Sequence, residues 1–251
     1  WRDFRWATNF TYSWNKNEII ELAANAVNPV TGEALNLTKL DIKGLGKAKY
    51  ILKEGGTLGD LYTTSNLRFN DNGYVEVDKN GNLLMTDEGE DIYLGSVFPN
   101  HNLAWRNDFS YKGINLGVLF TARLGGVCYS ATQANLDLYG VSEASAAARD
   151  AGGVLINGRE MVDAQKWYQA IGSQSGLPQY YLYSATNVRL QELSLGYTFP
   201  RKWFRNKLGL TVSFVGRNLW MIYCKAPFDP EAVASTGLNY QGIDYFMTVS
   251  Y

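Results

Sequence analysis

Net charge, histidine and long apolar runs are all scarce in this sequence, and each scarcity removes a class of function. Lys and Arg total 23 against 24 Asp and Glu, a formal net charge of -1, so the basic footprint of a nucleic-acid binder is missing. The single histidine, His101, has no nearby Cys or second His to complete a zinc site. No Gly-x-Ser-x-Gly elbow or phosphate-binding glycine loop is present, so no enzyme is expected and no cofactor is implied. Two cysteines, Cys128 and Cys224, cannot build a disulfide framework in a chain this long, and both are expected as thiols. No stretch approaches the ~18 apolar residues of a membrane helix, yet a membrane barrel needs strands apolar on one face only.

What the sequence has is rings and glycines: 17 Tyr, 11 Phe, 7 Trp and 25 Gly. Aromatics favour strands and interfaces, and Gly serves turns. In the opening segment WRDFRWATNFTYSW, Phe4, Trp6, Thr8, Phe10, Tyr12 and Trp14 share one face, and Arg5, Ala7, Asn9, Thr11 and Ser13 the other. This is the period of a strand. From Phe4 to Trp14 the rise is about 34 Å, or roughly 24 Å along a membrane normal at ~45° tilt, which matches the apolar band of an outer-membrane barrel. HNLAWRNDFSY repeats the alternation, with Asn107 misplaced on the apolar face, and INLGVLFTAR follows with Leu119 misplaced on the polar one. VRLQELSLGYTF switches its apolar side near Gln191, which means either a bulge or an upper strand segment emerging from lipid into water or loop packing. LGLTVSFVGRNLW and the closing IDYFMTVSY supply a fifth and a sixth strand.

The connections alternate in length. Tyr111–Gly113 and the basic link 200–207 are short, whereas 15–100, 124–187 and 221–242 are long. Outer-membrane barrels show that contrast between periplasmic turns and extracellular loops. Connections so long must be folded insertions or functional surface loops. Short strands are expected at 49–52, 74–77 and 82–85, and helices from a Ser142 cap to about Arg149 and over 161–170. DKNGNLLMTD, at 78–87, superficially resembles a calcium loop, but Gly81 stands two places early and Gly89 replaces the twelfth-position Glu, so an Asn-Gly turn is the expectation.

Four stretches together resemble the carboxy-terminal barrel region of the SusC/RagA family of TonB-dependent transporters from Bacteroidota. They are FRWATNFTYSWNKNEI, FSYKGINLGVLFTARLGG, YLYSATNVRLQELSLGYTFP, and FVGRNLW followed by Asp229-Pro230-Glu231. The resemblance covers essentially the whole chain, 1–251, and implies an all-β antiparallel barrel segment in the cell outer membrane. It further implies a SusD-like surface lipoprotein as partner, TonB acting through an amino-terminal plug region outside this sequence, and glycan or peptide cargo. Six strands leave two open edges, so further strands are expected from a longer polypeptide.

The residues opposite the rings are candidates for the channel wall: Arg5, Asn9, Arg106, Asp108, Arg123 and Arg217. A charge facing lipid would cost about 2–4 kcal/mol at midplane, so their shared parity carries weight. They could touch cargo or plug, or simply pair with one another and with water. A soluble β-rich carbohydrate-binding or adhesion module is the competing reading, with Trp6, Trp14, Trp105, Tyr111, Tyr197 and Trp220 as a stacking platform rather than interfacial and packing rings. The face assignment predicts that Trp6→Ala weakens barrel assembly more than Arg5→Ala; equal losses in a heat-modifiability gel would overturn it.

Overall fold

The structure, a computed structural model, describes residues 3–23, 26–34, 37–86, 89–172, 175–231 and the backbone of Ile243–Asp244. Its sheets are mostly antiparallel, and the chain divides into two compact units. Unit 1 comprises 1–16, 99–125 and 185–227; unit 2 comprises 17–98, 126–184 and 228–251.

Unit 1 is one five-stranded sheet of β1 (Phe4–Trp14), β2 (His101–Tyr111), β3 (Ile114–Leu124), β4 (Asn187–Thr198) and β5 (Thr211–Cys224), paired in that order. Phe4 pairs with Tyr111 and Trp14 with His101, without slippage along the whole of β1. The β2–β3 hairpin turns on two residues, Lys112 at φ 46° and Gly113 at φ 91°. Two positive φ angles are what a tight hairpin of twisted strands requires, and glycine supplies one without strain. A Cβ on Gly113 would also lie 2.7 Å from the Thr198 carbonyl oxygen, and the Thr198 N–H donates to the Gly113 carbonyl at 2.7 Å.

Of the two readings of the switch near Gln191, the structure shows the bulge. Register shifts between Leu190 and Glu192 against both β3 and β5, leaving Gln191 unmatched. On β5 the compensating irregularity lies at Asn218, φ 52°, whose amide oxygen accepts from Gln191 Nε2 at 2.7 Å. β5 starts at Thr211 rather than Leu208 and runs on to Cys224, and a 3-10 turn spans Arg201–Phe204 in the link before it. The sixth strand, with Tyr245, Met247, Val249 and Tyr251, lies outside the described residues. The backbone of Ile243–Asp244 pairs in parallel with Tyr129–Ser130.

The misfit Asn107 has a physical resolution. It is buried on the apolar face, where its side-chain oxygen accepts from Trp6 Nε1 at 3.1 Å. One step along, Trp105 Nε1 donates to Thr8 Oγ1 at 3.0 Å. The indoles thus satisfy the two polar groups set among rings, and removing that cost is what lets them stay there. At the strand end, Tyr12 and His101 stack with centroids 5.9 Å apart, and the Tyr12 hydroxyl is 2.9 Å from His101 Nδ1.

Unit 2 turns the first two long connections into one folded body. A four-stranded sheet runs Lys39–Leu45, Ala48–Lys53, Asp60–Thr63, Ile92–Ser96. Its buried residues Tyr50 and Leu61, with Leu67 from the short strand Asn66–Leu67, join one core with Tyr129, Ile171, Leu177 and Tyr181 from the second connection. Three helices belong to that second segment: α1 (Ala131–Leu138), α2 (Glu143–Asp150) and α3 (Ala164–Ile171). Ser130, Ser142 and Asp163 cap them, each accepting a backbone N–H three residues on. The Ser142-capped helix is where the sequence predicts it. The second predicted helix starts too early, because Glu160–Val162 pairs as a strand with Val154–Ile156 and Asp163 then opens the helix. Helix α1 went unpredicted; its buried positions are Ala131, Ala134 and Asp137, too small and mixed to give an apolar period.

Several polar groups inside unit 2 have specific partners. Buried Asp137 accepts from Gln133 Nε2 at 3.1 Å and from the Tyr181 hydroxyl at 2.9 Å. Burial, with that carboxylate beside it, pushes the Tyr181 phenol far up. Burial works against an ionised Asp91, yet the ammonium groups of Lys39 and Lys53, at 2.8 and 2.6 Å, outweigh it and hold the carboxyl below its usual range. Asp78 ties the Asn-Gly turn, accepting the N–H groups of Asn80 at 2.7 Å and Asn82 at 2.8 Å, with Gly81 at φ 75°. Among the described residues Cys128 is buried, Cys224 half-buried, and no disulfide joins them.

Because both connections share one core, Leu177→Ala should cost about 2–5 kcal/mol and also lower amide-exchange protection across 48–67. Protection lost only near 177 would show that the two segments fold independently. Tyr139→Ala, at a position 76% exposed, should change protection little.

Candidate functional site

The sheet of unit 1 has two unlike faces, and the register decides which residues share them. Arg5 stands opposite Ser110, Asn9 opposite Arg106, and Ala7 opposite Asp108. Arg106 continues to Leu119, Asp108 to Gly117, and Asn102 to Arg123. Across the next ladders Leu119 meets Glu192 and Glu192 meets Arg217. All six residues singled out from the sequence therefore lie on one face, with the bulge at Gln191 keeping Glu192 and Arg217 in phase with the others.

The structure joins three of the six through a seventh. Arg106 Nε donates to Asp108 at 3.0 Å and its Nη1 to Glu192 Oε1 at 3.3 Å. Arg217 Nε donates to the other oxygen of Glu192, also at 3.3 Å. The result is a charge ladder Asp108–Arg106–Glu192–Arg217 running across the sheet. It passes over β3 where the side chain is smallest. A Cβ on Gly117 would stand 2.4 Å from Ser194 Oγ and 3.0 Å from Asp108 Oδ1, so glycine there is what lets groups on β2 and β4 approach. Arg217 is largely exposed and Glu192 is not; each pair contributes at most about 1 kcal/mol.

Arg5 belongs to a neighbouring depression of about 400 Å³, lined also by Ala7, Asp108, Ser110, Asn115, Gly117 and Ser194. Asn9 accepts from Thr11 Oγ1 at 3.3 Å. Arg123 lies toward the far end of the face, in register with Asn102 and Asn187, and outside the ladder. A second polar row crosses near the short connections, where Asn115 Nδ2 donates to Thr198 Oγ1 and Thr198 touches Thr211, both at 3.1 Å. Glu192 and Ser194 escaped the sequence reading. Their signal was there, since both alternate with Leu193 and Leu195 below the bulge.

The opposite face carries the rings in the open. Trp6 is 57% exposed, Phe10 63%, Trp14 60% and Phe214 78%. Trp6 stacks on Phe109 at 6.2 Å and Trp105 tilts against Phe120 at 6.1 Å, so the surface is continuous across strands. Five strands of 11 to 14 residues give a face at least roughly 35 Å by about 20 Å, beyond the few hundred Å² that soluble monomers expose.

No family model matches the chain. It is 25% identical over 272 aligned residues to TonB-dependent receptor P3 of Formosa agariphila, covering 97% of this chain and 25% of that protein. Among solved structures it is similar to the RagAB peptide transporter, with TM-score 0.54, 20% identity, 90% of this chain covered and 24% of that one. The RagAB peptide importer in its open-open state gives TM-score 0.55 at 18% identity over 95% of this chain. The chain spans about a quarter of the length of these relatives. The relatives are thus TonB-dependent receptors and transporters, and the likeness is to part of a receptor of the SusC/RagA type, as the four sequence stretches suggested.

Gly117→Ala should destabilise unit 1, and Gly117→Ala with Ser194→Ala should recover part of the loss, because the alanine removes the hydroxyl that the new methyl meets. A double variant no more stable than Gly117→Ala alone, in thermal unfolding, would show that the crowding lies elsewhere.

Proposed function

We propose that unit 1 is a section of the β-barrel wall of an outer-membrane TonB-dependent importer for glycans or peptides. The observation that carries this is the two-faced sheet: exposed rings on one side and a charge ladder with small polar groups on the other. Hydrocarbon accepts the first face and rejects the second. Arg5, Asn9, Arg106, Asp108, Arg123 and Arg217, with Glu192, then belong to the channel wall. There they contact the plug, the cargo or water.

The likeness to RagAB, named as a peptide transporter, and to a TonB-dependent receptor supports energised uptake, with TonB acting through a plug region and a SusD-like lipoprotein at the surface. Unit 2 is the folded material between wall strands, and such connections carry recognition in many scaffolds. The soluble-module alternative fares worse, because it would leave the aromatic face in water. The relatives are named as a receptor and a transporter, and that supports transport as the reading.

Orientation is tested by single cysteines in a background with Cys128 and Cys224 changed to serine, in detergent or lipid. Ser194→Cys should react with a water-soluble maleimide, and Phe214→Cys should be shielded. Equal labelling at the two positions, or a chain that stays monomeric in plain buffer, would overturn the proposal.

A further inference from the structure

The link between β4 and β5 carries charge that nothing in the sheet answers. Arg201, Lys202, Arg205 and Lys207 fall within seven residues, all exposed and none in an ion pair among the described residues. No acidic residue interrupts 199–210. At the same sheet end stand Lys112, which adds a cation, and Asp3, just before β1. β1 is three strands away from β4, roughly 14 Å at ordinary strand spacing, so Asp3 cannot neutralise the group.

The link is also rigid and ringed. The Trp203 N–H donates to the Pro200 carbonyl at 3.0 Å, and Asn206 N–H to Arg201 at 2.9 Å. Arg205 and Asn206 both hold positive φ, at 52° and 60°, which closes the turn and fans the cations outward. Phe199 packs against Tyr197 at 4.9 Å, Trp203 at 5.9 Å and Phe204 at 6.3 Å. Trp203 nevertheless remains 61% exposed. An indole with an apolar body and a polar N–H, at the end of an apolar strand and ringed by cations, fits the boundary between hydrocarbon and headgroups.

We propose that residues 200–207 form an interfacial anchor for anionic phospholipid, with Trp203 at headgroup depth and the four cations on lipid phosphates. Arginine suits phosphate through paired N–H donors, and lysine adds point charge. The inference rests on the barrel reading for its depth in the membrane, but the charge complementarity stands on the link itself.

The test uses the full chain in neutral detergent micelles doped with spin-labelled phosphatidylglycerol or phosphatidylcholine. Quenching of Trp203 emission is read as the difference from Trp203→Phe. Phosphatidylglycerol should quench at lower concentration than phosphatidylcholine, and the preference should fade as salt rises. Changing Arg201, Lys202, Arg205 and Lys207 together to Gln should weaken it by at least roughly tenfold; Arg201→Lys with Arg205→Lys should retain most of it. Equal response to both lipids, indifference to the four Gln changes, or competition by polyglutamate at lower charge concentration than phosphatidylglycerol would overturn the anchor. Heat-modifiability of the same samples reports on the barrel separately. A chain that is not heat-modifiable but still discriminates the lipids would sink the barrel reading and keep this one.

Discussion

A strand offers two faces, and in a membrane wall only one of them can meet hydrocarbon. In the barrel wall proposed above, that constraint accounts for the layout of unit 1. Rings occupy alternate positions from Phe4 to Trp14, and each neighbouring strand is held in register so that the alternation continues across the sheet. The polar side chains then converge on the other side whether or not any pair is strong. Their pairing is consequently modest in energy and firm in position, since the strands and not the ion pairs fix it.

Two devices keep the alternation intact where the sequence breaks it. Asn107 and Thr8 sit among rings but are claimed by the Trp6 and Trp105 indoles, so neither is stranded without a partner. At Gln191 an extra residue re-phases β4, and Asn218 answers it on β5. Without that correction Arg189 and Glu192 could not both face the polar side, and one would be turned toward the rings.

Much of unit 1 was legible because period-two patterning depends on local sequence alone. The strands, the tight hairpin at Lys112–Gly113, the bulge and the common face of the six candidate residues could all be read from parity. Glu192 was readable by the same rule and was overlooked. The partnerships on that face were not readable, because they depend on which strands are neighbours and on Gly117 leaving room between them. Unit 2 resisted for another reason. Its strands are short, its core draws on segments far apart in sequence, and helix α1 buries two alanines and an aspartate rather than an apolar stripe. The capped helix at Glu143–Asp150 announced itself through Ser142 and the alanine run, and the strand at Ala48–Lys53 and the turn at Asp78 were likewise local signals.

The shared core of unit 2 bears on how such chains can diversify. Tyr50, Leu61 and Leu67 come from one connection and Tyr129, Leu177 and Tyr181 from another, with the β2–β3 hairpin lying between them in sequence. Exchanging either connection alone for one from a relative would strand half of a hydrophobic interior in water. Recombination that respects folding must therefore carry the pair as one cassette, hairpin included, and variation in the two segments should drift in concert.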